Sequence, residues 1–280
     1  MQPHRRCRLP VLALLAVAAV LPAGCGGNGA TNTAALQVGG LYFAADGGSG
    51  REPWVLHGPS LSPVLLADIN GAGGDSDPES FVRIGDTVYF TADDGNGREL
   101  WRTDGSTPGT EPVSRFSASG GAIPDGADLF VYNGDLYFPA DEGATGTELW
   151  FYDVSAGRVG QVEDINSTSA GASSNPAGFT ESGGTLFFTA TNGSDGVELW
   201  KTDGTGTPDG TEQVEDINDA GDANPAYLTD LNGELFFAAT DGSSGVELWH
   251  SDGTTSGTNR VEDINSGGGS DPRFLTAFNG

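Results

Sequence analysis

Carboxylates are the chemistry most available to this chain. It holds 39 Asp and Glu against 12 Lys and Arg, and clustered acids serve either divalent cations or paired acid–base hydrolysis. Five of them, Glu52, Glu99, Glu148, Glu198 and Glu247, each stand two positions before a tryptophan. A carboxylate buried without partners is costly, so each is expected to accept hydrogen bonds from backbone N–H groups of a neighbouring turn. Cation binding is the sharper alternative, but five identical sites point to scaffold. The set best suited to an ion is Asp68, Asn70, Asp75 and Asp77, where acids and an amide cluster on a Gly-rich loop. Oxygen ligands of that kind suit Ca2+, and no other cofactor is implied. Asp93-Asp94-Gly95-Asn96-Gly97 lacks the alternating acids and the closing Glu of an EF-hand loop, and reads as a turn.

Nucleophilic and zinc chemistry find little material. Beyond Cys25 the chain has no cysteine, its histidines are His57 and His250, and no Gly-x-Ser-x-Gly elbow occurs. Glycan hydrolysis by a carboxylate pair is the one reaction the composition permits. The acids sit in repeated turns, however, and no copy contributes a pair of its own. Departures from the repeat at His57, Arg115, Phe116, Phe151 and Tyr152 read as drift. No catalytic residue is assigned.

The elements that hold these residues follow from the tryptophans. Trp54, Trp101, Trp150, Trp200 and Trp249 are 47, 49, 50 and 49 residues apart. Regular spacing of that length marks stacked supersecondary units, none able to bury its apolar side alone. In the fourth copy, runs around Phe179, Leu186–Ala190, Val197–Lys201 and Glu212–Ile217 are short, rich in aromatic and β-branched types, and separated by Gly, Asp and Asn turns. They predict a four-stranded antiparallel meander. The second run is apolar on both faces, as a sheet sandwiched between two others should be. About five such sheets around an axis make an all-β propeller, with each Trp filling the layer between blades.

Residues 273–278 match the opening strand of a copy, and the first copy begins with a shortened one, so 273–278 are expected to pair beside 41–45 and close a five-bladed ring. The competing account is an open array with a free terminal strand.

Glu99-Leu100-Trp101-Arg102-Thr103-Asp104-Gly105, Glu198-Leu199-Trp200-Lys201-Thr202-Asp203-Gly204-Thr205 and Glu247-Leu248-Trp249-His250-Ser251-Asp252-Gly253-Thr254 resemble the bacterial ELWxxDGT-repeat proteins. The likeness extends to the Asp-Ile-Asn segments at Asp68, Asp164, Asp216 and Asp263 and covers nearly everything after residue 40. The first copy departs with Glu52-Pro53-Trp54, the second replaces Asp-Ile-Asn by Arg115-Phe116-Ser117, and the third has Asp153-Val154 for Asp-Gly. The resemblance implies a secreted or surface protein and brings no catalytic residues.

The N-terminus supplies an address. Arg5, Arg6 and Arg8 precede an apolar run from Leu9 to Leu21 and then Pro22-Ala23-Gly24-Cys25, which reads as a secretory signal over 1–24. Ala-Gly-Cys resembles the lipobox of bacterial lipoproteins, with Pro22 where that pattern prefers Leu. It implies lipid attachment at Cys25, followed by a flexible tether over 25–35 and a repeat domain over 36–280. Past the signal, 9 basic residues face 39 acidic ones, a formal net of −30. Such a surface repels nucleic acid. The expectation is an extracytoplasmic lipoprotein of the outer membrane or cell surface, touching membrane through its anchor alone. It would bind a protein or glycan partner in recognition or adhesion. A purely structural surface protein and a glycan-active enzyme are the alternatives.

Overall fold

The computed structural model describes residues 39–58, 62–113, 122–205 and 210–278. The expected signal segment, Cys25 and the tether lie outside the described residues. The chain divides into two compact units, Met1–Ala35 and Leu36–Gly280, and the second contains every residue described below.

That unit is built from strands in five antiparallel sheets, each a meander in chain order. Blade I has three strands: β1 (Gly40–Asp46), β2 (Arg51–His57) and β3 (Val64–Leu65). Blade II has β4 (Glu79–Ile84), β5 (Thr87–Asp93), β6 (Arg98–Thr103) and β7 (Glu111–Pro112). Blade III has β8 (Phe130–Tyr132), β9 (Asp135–Ala140), β10 (Glu148–Asp153) and β11 (Arg158–Glu163). Blade IV has β12 (Ala177–Ser182), β13 (Thr185–Thr191), β14 (Val197–Thr202) and β15 (Thr211–Glu215). Blade V has β16 (Ala226–Leu231), β17 (Glu234–Thr240), β18 (Val246–Ser251) and β19 (Asn259–Arg260). The architecture is a β-propeller array.

Burial explains which strands carry the fold. The second strands β5, β9 and β13 are buried along their middles, because neighbouring blades cover both faces. The fourth strands form the outer edge and are the most irregular. β7 stops after two residues at Pro112, which has no N–H to give a ladder.

Consecutive residues of the Glu-Leu-Trp segment serve opposite seams, since side chains alternate along a strand. Leu149 packs with Ile165, Phe188 and Trp200 between blades III and IV, while Trp150 packs with Leu100, Leu136 and Phe138 between blades II and III. Leu199 joins Leu235 and Phe237 between blades IV and V, with Trp249 at its margin. Trp101 reaches Ile69 of the connection from blade I.

Blades II, IV and V, and the segment after blade V, are each reached through one unusual turn. Asp77, Asn175, Asn224 and Asp271 precede proline yet have φ of 40°, 49°, 48° and 48°. Three positions on, Ser80, Gly178, Tyr227 and Phe274 have φ of 52°, 67°, 58° and 57°. Left-handed backbone is disfavoured for most side chains and least so for Asn and Asp. The turn kinks the chain into the first strand, whose register then shifts between Glu79 and Val82, Ala177 and Thr180, and Ala226 and Thr229.

The expected closure does not form. Residues 273–278 are in no strand, and β1 pairs with β2 alone among the described residues. The terminal segment packs instead on its own last blade, with Phe274 at 6.3 Å from Tyr227 between ring centres.

Candidate functional site

An antiparallel meander puts two classes of loop on each rim. The turns between second and third strands share a rim with the connections between blades. The turns between first and second strands share the opposite rim with the loops between third and fourth.

On the first rim the buried glutamates organise everything. Glu148 opens β10 and is sealed from solvent. Its carboxylate accepts from Ile165 N at 3.0 Å, from Ser174 N at 3.0 Å and from Ser174 Oγ at 2.5 Å. Glu52 accepts from Ile69 N at 2.9 Å and Ser76 Oγ at 2.7 Å. Glu247 accepts from Ile264 N at 3.3 Å, Ser270 N at 2.9 Å and Ser270 Oγ at 2.5 Å. Glu198 accepts from Ile217 N and Ala223 N, each at 3.0 Å. Each donor pair belongs to the Asp-Ile-Asn connection leaving the blade, so the carboxylate clamps the loop that launches the next one.

The same serine or alanine also bonds forward. Ser174 N reaches Thr147 O at 3.0 Å behind it, while its own carbonyl accepts from Thr191 N of blade IV at 3.0 Å. Ala223 repeats this between Val197 and Thr240. The asparagine of each connection pins the loop internally, Asn166 Nδ2 to Ser173 O at 2.9 Å and Asn218 Nδ2 to Asp222 O at 2.8 Å. Asn166 also abuts the hairpin of the following blade. A Cβ on Gly193, at φ 80°, would lie 2.5 Å from Asn166 Oδ1, which restricts that turn to glycine.

Blade II departs from the pattern. Its connection holds Ile123, and Arg98 fills the space beside it, donating from Nη1 to Asp77 O at 2.7 Å and pairing through Nε with Asp125 at 2.9 Å. Arg98 is buried and went unmarked in the sequence, because nothing local distinguishes it from the exposed Arg102. Ser76, Ser174 and Ser270 were missed for a related reason: Ser-Asp-Pro and Ser-Asn-Pro read as turns. Their signal is recurrence directly before an Asp-Pro or Asn-Pro pair, 23 to 26 residues after the Glu.

Copy four lacks the serine; burial raises the carboxyl there, as it raises that of Glu148 despite the Ser174 hydroxyl. Burial raises the Glu198 carboxyl from 4.5 to about 7 against the pull of its two N–H donors, and Asp216 adds to the rise. In Glu247 the Ser270 hydroxyl leads and the carboxyl is lowered. A raised carboxyl pKa favours the folded state while protonated, so that contribution is present below about 4.5 and lost as pH rises through about 7. Ala223→Ser should supply the hydroxyl. We expect the variant to gain about 1.5–3 kcal/mol above pH 7, the usual scale for a bond to a charged acceptor, and to melt with wild type below pH 5. Thermal unfolding followed across that pH range checks the sign, and a gain confined to low pH would contradict it.

The opposite rim is tied by the Asp-Gly loops that follow the third strands. Asp104, Asp203 and Asp252 each accept from the N–H two residues on at 2.9 Å. The carbonyls of Gly105, Gly204 and Gly253 then receive donors from the preceding blade: His57 Nε2 at 2.9 Å, Tyr137 Oη at 2.8 Å and Lys201 Nζ at 2.7 Å. His57 and Lys201 are therefore joints between blades. His250 faces Glu234 and stacks on Phe236. Among the described residues His57 thus bonds a backbone carbonyl and His250 a carboxylate.

The anticipated calcium set is not assembled. Asp75 Oδ1 accepts from Arg51 N at 2.7 Å, Asp77 pairs with Arg51 Nε at 3.1 Å, and Asn70 Nδ2 donates to Asp75 O at 2.8 Å. Of these four, Asp75 is turned to the Arg51 backbone N–H and Asp77 to the Arg51 guanidinium. Among the described residues no three His, Cys, Asp or Glu side chains come together as metal ligands. The tryptophans divide by position: Trp101, Trp150 and Trp200 are buried, whereas Trp54 and Trp249, in the end blades, are half-buried and donate from Nε1 to Ala45 O at 2.9 Å and Ala239 O at 3.1 Å. No described helix is long and apolar enough to cross a membrane.

Residues 86–268 match the family described as outer membrane protein assembly factor BamB. No curated protein matches the chain. Among solved structures, one from a study of two prolyl endopeptidases and their inter-domain dynamics is 12% identical with a TM-score of 0.48, over 79% of this chain and 33% of the other. TolB from Acinetobacter baumannii is 17% identical with a TM-score of 0.41, over 76% and 49%. A putative TolB from Agrobacterium tumefaciens is 10% identical with a TM-score of 0.39, over 75% and 73%. The chain thus spans about a third of the first of these proteins and about half of the second.

Proposed function

The chain belongs to the family of outer membrane protein assembly factor BamB, and from that premise we propose that it is an extracytoplasmic propeller which binds protein partners in the assembly of outer membrane proteins. The family match from blade II to the connection leaving blade V carries the reading. Two features support it. The repeated chemistry of the joints is spent on holding blades together, which leaves the exposed loop tips for recognition. The charge, a formal −27 over the whole sequence, suits a partner with a basic face and fast, salt-sensitive association.

Lipid attachment at Cys25 is part of the proposal, since acyl chains would supply the apolar surface that the acidic repeats lack. Deleting the gene in the native host should lower the amount of folded β-barrel protein in the outer membrane, and complementation should restore it. Cys25→Ser should release the protein from the membrane fraction and complement less well. Unchanged outer membrane composition in the deletion strain would sink the assembly role.

The Glu-Leu-Trp…Asp-Gly motif in copies two, four and five, closed by Thr in the last two, favours a second reading, a surface-displayed module that binds a protein or glycan in adhesion. Protease shaving of intact cells separates the two. Removal of the propeller places it outside the outer membrane, and full protection keeps it on the inner side.

A further inference from the structure

The seam between blades II and III holds two tyrosines in ring contact, and we propose that they are an oxidative cross-linking site: Tyr89 of β5 and Tyr152 of β10 form a dityrosine bond that staples the two blades. The ring centres are 5.8 Å apart, with the planes tilted by 55°. Both side chains belong to one apolar cluster and are 3% and 4% exposed. What each leaves open is its hydroxyl. Neither phenol oxygen is sealed from solvent, and neither has a hydrogen-bond partner among the described residues.

The pair exists because copy three breaks the repeat. Thr103, Thr202 and Ser251 take the place of Tyr152 in blades II, IV and V, opposite Val88, Leu186 and Leu235 as Tyr152 is opposite Leu136. Those hydroxyls stay within their own blade, bonded to Thr110, Thr211 and Thr258. Tyr152 instead reaches back across the seam to Tyr89. The Asp-Gly loop that ties three other joints of this rim is also replaced here. Copy three has Asp153-Val154, and Val154 N bonds Asp135 Oδ1 of its own blade at 2.9 Å. Ring contact thus stands where a hydrogen bond crosses the other seams. With no cysteine beyond Cys25, no disulfide can join two blades, and an oxidative tie has to use another side chain.

The reaction takes an external one-electron oxidant, and a haem peroxidase with hydrogen peroxide supplies it. Each phenol loses one electron and, through its open hydroxyl, one proton to water. The two phenoxyl radicals then couple, forming a carbon–carbon bond between ring carbons adjacent to the oxygen-bearing ones. The hydrogens on those carbons move to the oxygens, and one peroxide is reduced to two waters. Arg102 lies opposite Tyr89 on β6. Burial raises the Tyr89 phenol above its ordinary value, Tyr152 adds to the rise and the Arg102 guanidinium opposes it. Tyr89 therefore keeps its proton at neutral pH and gives it up with the electron.

A second pair supplies an internal control. Tyr132 and Tyr137 have the same 5.8 Å between ring centres, but their hydroxyls donate to Gly184 O at 2.6 Å and Gly204 O at 2.8 Å. Tied to separate carbonyls, they should stay unlinked. Tyr227 is 46% exposed and would lead an unselective reaction between molecules.

Peroxidase and hydrogen peroxide, applied to the dilute full chain in mild detergent, test this by dityrosine fluorescence and by mass spectrometry of proteolytic fragments. Folded wild type should gain the fluorescence without covalent dimers, and should yield a cross-linked fragment, lighter by two hydrogens, that joins 89 to 152. Tyr89→Phe and Tyr152→Phe should each abolish it while circular dichroism shows the fold retained, since both hydroxyls are unpaired. Linked wild type should melt higher than the untreated protein, because the new bond closes a long loop of the unfolded chain, and treated Tyr152→Phe should not. Fluorescence that survives Tyr152→Phe, links that run through Tyr132 and Tyr137 or through Tyr227, or oxidation that leaves 89 and 152 unjoined in folded wild type would each overturn the proposal.

Discussion

Trp200→Ala should lower stability by about 3–5 kcal/mol, the cost of a large ring removed from a packed seam, and for a domain of this size that means a melting temperature roughly 6–20 °C lower. The indole fills the seam between blades III and IV with Leu149, Val162, Ile165, Leu186 and Phe188. Because both walls are rigid sheets, the space cannot collapse, and the upper part of the range applies. Its Nε1 is buried without a partner in the described residues, so truncation removes one unsatisfied donor and recovers a little of the loss. Trp249→Ala should cost distinctly less, since that ring is half-buried in an end blade and its packing partners are on one side. Thermal unfolding of the two variants in dilute solution makes the comparison. Equal losses would mean that blade V is covered as fully as blade IV. A Trp200→Ala variant that melts like wild type but loses a partner would make the tryptophan a recognition residue.

The contrast between these tryptophans shows how far the sequence reaches. Spacing of the five Trp residues is enough to count the blades, because each marks the third strand of a unit that cannot be stable by itself. Strand positions follow from local composition and the turns between them. Glu148 facing a backbone donor could be anticipated from cost alone, as a buried carboxylate needs partners. Which donors it meets could not. Ser174 lies 26 residues further on, and only the left-handed turn at Asn175 swings its hydroxyl back across the blade. Asn-Pro in a sequence suggests extended backbone before the proline, the opposite of the φ of 49° found there. What holds the acidic loop after Asp68 was hidden for a similar reason. Its acids are drawn to Arg51, which sits on β2 and is brought near by the fold rather than by proximity in the chain. Ring closure failed at the level of pairing: a segment can match a strand in pattern and conformation and still lack the edge it needs.

Glu148→Ala should be the most damaging single change on the loop rim, costing about 3–5 kcal/mol, the scale for breaking a buried charged network by deleting one partner. Three donors converge on the carboxylate, two backbone N–H groups and the Ser174 hydroxyl. Ile165 N and Ser174 N have no room to find water once the acceptor is gone, and each stranded group carries its own desolvation penalty. The damage should spread forward, because the connection held by Glu148 also receives Thr191 N of blade IV. Amide exchange should therefore quicken at 165–175 and at the end of β13, with β9 less affected. Glu148→Gln separates shape from charge. It keeps one acceptor oxygen but turns an NH2 toward the donors, so it should recover only part of the loss. A scaffold carboxylate also predicts indifference to chelators, since the oxygens are occupied by hydrogens that would face any cation. If EDTA lowered the wild-type melting temperature and calcium restored it while Glu148→Ala no longer responded, the carboxylate would be a cation ligand and the network described here would be its apo arrangement.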